Sequence, residues 1–278
     1  MHDLRANSPE VLLKKGRRMT LITLFVLLLL LVTGSVLVDV PTMFFMLLVY
    51  VTGLGFTNLF NKVYKKHVLS IYSWLFIAGG IYMVLSYQYM ISHDYKYLLA
   101  FDIYNAFHPE VEYYLSIGNY FSSLKEIWTD YYFFNRYQYG YFTYATSFAF
   151  LGDFLGTNFY LTQNLSVLFL YPFTGVLLYR MMLVNNIDAR NAYKYSLLIP
   201  LVSILFFYSF QTLRDTHILL LYLGAIYITL KGKFSLKGLI GIILICIICC
   251  TFRIESGLFL FVLVPVYLLV SLKLSRQK

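Results

Sequence analysis

The sequence predicts an all-α fold: a polytopic membrane helix bundle of about eight transmembrane helices, with a large external loop containing amphipathic helices. Three observations carry this reading. Hydrophobic residues make up 60% of the 278 and charged residues only 13%, against roughly 25% charged in an ordinary soluble domain; the mean hydropathy is +0.70. Apolar runs recur at the length that crosses a bilayer. Basic residues gather in loops that alternate with the loops holding the acids. A water-soluble globule of this size has too little interior to hide so much apolar surface. A soluble enzyme, a nucleic-acid binder and a disordered chain are therefore excluded.

A spanning helix needs about 20 mostly apolar residues. In chain order the qualifying runs are 19–38, 42–60, 68–92, 158–180, 195–212, 216–231, 238–251 and 257–272, of which the last three are short. The first run follows Lys14, Lys15, Arg17 and Arg18, in the manner of a signal-peptide n-region. It is long, however, and a second run follows at once through Asp39, Val40 and Pro41, so it reads as a retained span. Residues 1–18 and 273–278 are then cytoplasmic tails flanking a membrane domain, 19–272, whose external loop runs from about 93 to 157.

Residues 141–157 are apolar but carry Gly152, Asp153 and Gly156. They read either as a ninth span or as a helix at the membrane surface, and charge decides between the two. If they do not cross, the cytoplasmic segments hold seventeen of the 22 basic residues and only three acids, Asp3, Glu10 and Asp188. If they do cross, every later loop changes side and the bias disappears. Cytoplasmic loops carry the excess Lys and Arg, so the eight-span arrangement with both termini cytoplasmic is expected. The formal net charge of +9 then reflects orientation and gives no reason to expect a nucleic-acid partner.

This sidedness sorts the polar residues. The external loop holds Asp102, His108, Glu110, Glu112 and Asp153, and two short outer turns carry Arg214 with Asp215 and Arg253 with Glu255. No Asp, Glu, Lys or Arg falls in the middle of a proposed span, which argues against an ion-coupled transporter. Glu110 and Glu112 follow Pro109, which suits the first turn of a helix. Both acids then fall in that turn, where they either complement the helix dipole or supply a general base or metal-binding carboxylate. Arg214 and Asp215 interrupt a long apolar stretch. They make either an interfacial salt bridge in a helical hairpin or a phosphate site, since the planar guanidinium forms bidentate charge-assisted hydrogen bonds. Arg253 offers the same chemistry, or snorkels as an interface anchor. His217, one turn into a helix, reads as a structural residue.

Aromatic residues crowd 113–144, including Tyr139 and Tyr141. They form an interfacial belt, a set of stacking platforms for sugar rings, or both. Cys246, Cys249 and Cys250 lie within one apolar run and lack the polar loop and partner pair of a zinc site. No phosphate-binding Gly-rich loop, G-x-S-x-G elbow or H-E-x-x-H is present.

The order of these features resembles the multi-spanning GT-C glycosyltransferases, the group that includes protein O-mannosyltransferase-like enzymes. Residues 109–114 (PEVEYY) are similar to the acidic start of their first external loop. Tyr139-Gly140-Tyr141, leading to Leu151-Gly152-Asp153, is similar to the segment around their surface-lying helix. Residues 208–215 are similar to their short charged outer loop, and Arg253 with Glu255 to a later Arg-x-Glu turn. The resemblance covers about 68–272. Two extra spans precede the acidic loop and the chain ends soon after the eighth, which implies a reduced or truncated member.

The resemblance implies transfer of a sugar from a polyprenyl-phosphate carrier to a cell-surface glycan or lipid acceptor, on the outer face of a bacterial cytoplasmic (inner) membrane. Glu110 or Glu112 is the expected base, with Asp102 as a substitute. Arg214 and Arg253 hold the carrier phosphate, Asp215 orients Arg214 or helps bind a metal, and Tyr139 and Tyr141 contact the sugar. These residues leave the cofactor open: none is certain, and Mg²⁺ or Mn²⁺ suits the carboxylate and phosphate oxygens. A polysaccharide repeat-unit polymerase is the nearest alternative. A non-catalytic membrane partner or lipid-glycan flippase is the alternative from another class.

Overall fold

The computed structural model describes residues 9–60, 65–93, 107–129, 138–202, 215–231 and 235–276. Among these residues the chain is helical throughout, with no strand. The helices are α1 (Pro9–Leu37), α2 (Val40–Phe60), α3 (Lys65–His93), α4 (His108–Ser116), α5 (Tyr120–Thr129), α6 (Tyr139–Leu155), α7 (Phe159–Val184), α8 (Ala189–Val202), α9 (Asp215–Leu230), α10 (Leu236–Phe252), α11 (Ile254–Leu260) and α12 (Leu263–Arg276).

Four of them, α1, α2, α3 and α7, are long and apolar enough to cross a membrane. At 1.5 Å per residue, the 26 residues of α7 exceed the hydrocarbon core of about 30 Å. The apolar side chains of α1 face outward, with Phe25 66% and Val36 82% exposed. That surface is tolerable only in lipid, and the chain is a membrane protein. The expected runs 216–231 and 238–251 are the shorter apolar helices α9 and α10. Only the first part of 195–212 lies within the described residues, as the end of α8.

The expected run 257–272 is not one continuous helix. It is broken between Leu260 and Leu263, and Pro265 is the physical cause. A proline has no N–H for the carbonyl four residues back and its ring clashes with that carbonyl, which here belongs to Phe261. The chain tightens instead, with Val262 N–H bonded to Phe259 O at 3.2 Å and Val264 N–H to Phe261 O at 3.0 Å.

Three apolar clusters hold the bundle together. The largest joins α1, α2, α3, α7 and α8 around Met46, Tyr72, Phe76, Leu165 and Tyr171. The second joins α4, α5 and α6 around Val111, Tyr114, Ile127 and Phe142. The third joins α9 to α12 around Ala225, Ile242, Cys246 and Tyr267. Cys246 and Cys249 are thus buried, free thiols within that packing.

Side-chain hydrogen bonds fix how the helix ends are arranged. Asp39 caps α2, accepting from Thr42 N–H at 2.5 Å and from its hydroxyl at 2.8 Å. Asn158 caps α7 by accepting from Leu161 N–H at 3.2 Å. The Asn158 N–H donates to Thr42 Oγ1 at 3.0 Å, and its side-chain amide donates to Tyr87 Oη at 2.8 Å. Gln88 donates to the Leu37 carbonyl. The end of α1, the starts of α2 and α7 and the last turns of α3 therefore meet at one end of the bundle. At the opposite end His67 Nδ1 meets Tyr179 Oη at 2.8 Å and Ser70 meets Tyr193 Oη at 2.9 Å. Helices α3 and α7 run antiparallel.

Candidate functional site

Helix α6 is the platform of the site. It ends at Gly156, whose left-handed φ of 70° suits glycine, and folds back onto α7. Gln163 donates to Ala145 O at 3.2 Å and Tyr144 to Ser166 O at 2.7 Å. Phe148 packs between Phe45 of α2 and Phe169 of α7, at 6.0 and 6.2 Å between ring centroids. One face of α6 is therefore pinned to the bundle.

The other face of α6 carries the loop helices. Helix α5 lies along it, with Trp128 Nε1 donating to Thr143 at 3.0 Å and Tyr120 Oη meeting Ser147 Oγ at 2.8 Å. Helix α4 docks through its first turns: Phe107 meets Tyr141 at 5.2 Å and Tyr114 meets Phe142 at 6.1 Å. Positions three and four apart share a helix face, so Phe107, Glu110, Val111 and Tyr114 form the stripe that turns toward α6. Val111 and Tyr114 are buried and Glu110 is half-buried.

The two acids of α4 are consequently not equivalent. The helix begins at His108, so only Glu110 falls in the first turn. Glu112 lies beyond it, on the exposed face beside Tyr113. The expectation that both acids share the first turn is corrected by a register that starts one residue earlier than Pro109.

His217 stands where α6 meets the third cluster. It is 3% exposed, as its sequence position implied. Its ring lies 5.9 Å from Tyr141, 4.8 Å from Tyr144 and 5.1 Å from Phe252, centroid to centroid. Gly140 packs against Thr251, leaving no room for a side chain. These contacts bring the start of α9 and the end of α10 against the start of α6. Asp215, the first residue of α9, is exposed two residues before His217.

Arg253 follows Phe252 directly. It is the extended residue between α10 and α11, with φ −161° and ψ 114°, and its guanidinium reaches Glu255 at 3.6 Å. The side chains are 47% and 75% exposed, and exposed pairs contribute about 0–1 kcal/mol. Aromatic contacts contribute about 0.5–1.5 kcal/mol each beyond their buried area. The rings around His217, not the ion pair, therefore hold this corner together.

The predicted site residues sort as follows. Glu110, Tyr141, Asp215 and Arg253 belong to elements that converge on the start of α6. Tyr139 is half-buried and packs against Trp128, tilted by 41° with centroids 4.9 Å apart. Tyr141 is 3% exposed, so its ring is packing rather than an open platform for a sugar. Glu112 faces away. Asp102 and Arg214 lie outside the described residues. The hub of the arrangement, His217, carried no motif; its ring partners come from segments far apart in sequence.

His108 supplies a marked electrostatic feature at the start of α4. It is 4% exposed, between the rings of Phe159 at 5.7 Å and Tyr160 at 5.1 Å. Burial lowers its pKa to about 4, so it is neutral at pH 7 and ties α4 to the start of α7 as a packing group. Among the described residues no three His, Cys, Asp or Glu side chains converge to hold a metal ion.

No known family, no curated protein and no solved structure matches the chain.

Proposed function

We propose that this protein is an integral membrane glycosyltransferase, moving a sugar from a polyprenyl-phosphate carrier to a glycan or lipid acceptor at the extracytoplasmic face. In this reading α8 to α12 complete eight spans, both termini are cytoplasmic, and the membrane is a bacterial inner membrane. What carries the reading is one juxtaposition: the acid-bearing stripe of α4 and the Phe252–Arg253 corner pack against the same start of α6, through Tyr141 and His217. An acid and a guanidinium at one end of a lipid-embedded bundle are the groups that transfer from a lipid phosphate requires.

In the proposed step an acceptor hydroxyl oxygen bonds to the anomeric carbon of the sugar. The bond from that carbon to the carrier phosphate oxygen breaks, and the phosphate departs with the bonding pair. Glu110 takes the hydroxyl proton. Arg253 stabilises the charge gathering on the phosphate, and Arg214, next to Asp215 in the sequence, is assigned the same role. Tyr141 and His217 are positioning residues, and half-buried Tyr139 is an aromatic left partly open for a sugar.

The test is incubation of the purified protein with polyprenyl-phosphate-linked sugars and mass analysis of the products. Single-sugar transfer that Glu110→Gln abolishes supports the reading. Transfer of whole oligosaccharide units instead identifies a repeat-unit polymerase. No turnover with any lipid-linked donor, by folded protein, overturns both.

A further inference from the structure

We propose that the protein binds an anionic glycerophospholipid at the end of the bundle opposite the candidate site, in a slot between α2, α7 and α9. This inference goes beyond the glycosyltransferase reading and does not depend on it.

The slot has a volume of about 580 Å³, within the range of about 300–1,000 Å³ typical of ligand sites. Its walls are apolar: Phe56 of α2, Phe169, Phe173 and Leu177 of α7, and Leu220 of α9. Its cationic mouth is made by Arg180, near the end of α7, and Lys231, just past the end of α9. Lys231 is held with its ammonium 5.0 Å from the centre of the Tyr227 ring, one turn back along the same helix. The two cations share an end because α7 and α9 run parallel: Tyr144 bonds near the start of α7 and also touches His217 near the start of α9.

The dimensions choose the occupant. From Arg180 to Phe169 is eleven residues of α7, or about 16 Å at the helical rise. One leaflet of a hydrocarbon core about 30 Å thick is about 15 Å deep. The slot therefore accepts an acyl chain for the depth of one leaflet while its headgroup phosphate meets Arg180 and Lys231. Basic pockets between membrane helices select anionic headgroups in this way. A neutral lipid fills the same walls but leaves its headgroup without net charge to offer the two cations.

The experiment is native mass spectrometry of the detergent-purified full chain titrated with phosphatidylglycerol or phosphatidylcholine. Retention of one phosphatidylglycerol, with phosphatidylcholine retained at least tenfold more weakly, is expected. Replacing both cations, Arg180→Gln with Lys231→Gln, weakens phosphatidylglycerol binding about thirtyfold, taking each surface charge at its usual worth. The exposed pair Arg190→Gln with Lys194→Gln, outside the slot, leaves binding unchanged. Leu220→Trp fills the slot without touching a charge and also reduces binding, so the proposal stays testable if the double variant fails to fold. Equal retention of both lipids, or equal losses in the two double variants, overturns the proposal. Displacement of phosphatidylglycerol by an equimolar polyprenyl phosphate overturns the choice of lipid.

Discussion

The imidazole of His217 lies stacked on the ring of Phe252, with centroids 5.1 Å apart and planes inclined by 26°. The first lies in the opening turn of α9 and the second ends α10, and the residue after Phe252 is Arg253. The guanidinium is therefore held at the corner by packing one residue away. Replacing His217 with Ala removes the shared partner of Tyr141, Tyr144 and Phe252. Thermal unfolding in detergent is expected to show a loss of about 2–4 kcal/mol, as for deletion of a large buried ring. His217→Phe keeps the packing and recovers most of that loss.

The acids of α4 separate in the same manner. Glu110→Gln removes the proposed proton acceptor and is expected to lower turnover by about 10²–10⁴-fold with little change in stability. Glu112→Gln, on the exposed face, is expected to leave turnover within about twofold of the parent, since surface substitutions away from special features are close to neutral. The paired rates of sugar transfer decide which carboxylate acts.

Acid is expected to loosen the docking of α4. Burial holds the His108 pKa at about 4, below the ordinary value near 6.5. The folded protein therefore binds fewer protons than the unfolded chain between those limits, and stability rises with pH there. The contribution is fully present above pH 6.5 and is lost as pH falls toward 4. At about 1.36 kcal/mol per unit, it amounts to roughly 3 kcal/mol. Hydrogen exchange across 107–116 at pH 7 and pH 4.5 measures it, and His108→Phe is expected to flatten the difference.

Sidedness has a direct check. A thiol-reactive, membrane-impermeant reagent applied to intact cells is expected to label Asp153→Cys and to spare Lys194→Cys. Labelling of Lys194→Cys from outside reverses the proposed topology.

Gly257 sets the α10–α11 hairpin. A Cβ there would overlap the Cys250 sulfur and lie 2.5 Å from the Cys250 backbone nitrogen. Backbone cannot yield as a flexible side chain can, so Gly257→Ala is expected to destabilise the hairpin by about 1–3 kcal/mol. Cysteine reactivity is the readout: Cys250, half-buried in the parent, reacts faster in the variant.

Much of this architecture was legible in the sequence, for a definite reason. A run of about 20 apolar residues has few soluble alternatives, so α1, α2, α3 and α7 announce themselves. The break in the last apolar run went unread, although Pro265 marks it. Other features were not legible. The choice between Glu110 and Glu112 turns on which face of α4 packs against α6, and that face is fixed by contacts with Tyr141 and Phe142 that composition does not carry. The burial of Tyr141 depends on Phe107 and His217, which come from other helices and meet it only through packing. An aromatic-rich stretch reads the same whether its rings face sugar or one another.

Asn158 bonds to Thr42 and Tyr87 across 116 and 71 positions of the chain, closing a corner shared by helices made long before it. During synthesis from the N-terminus, α1 to α3 are made with that corner still open, and the chain must grow as far as Asn158 before it shuts. Completion of this corner is therefore expected to follow the making of α1 to α3. A substitution at Asn158 should be felt less by the mature activity than by the fraction of newly made chains that escape proteolysis.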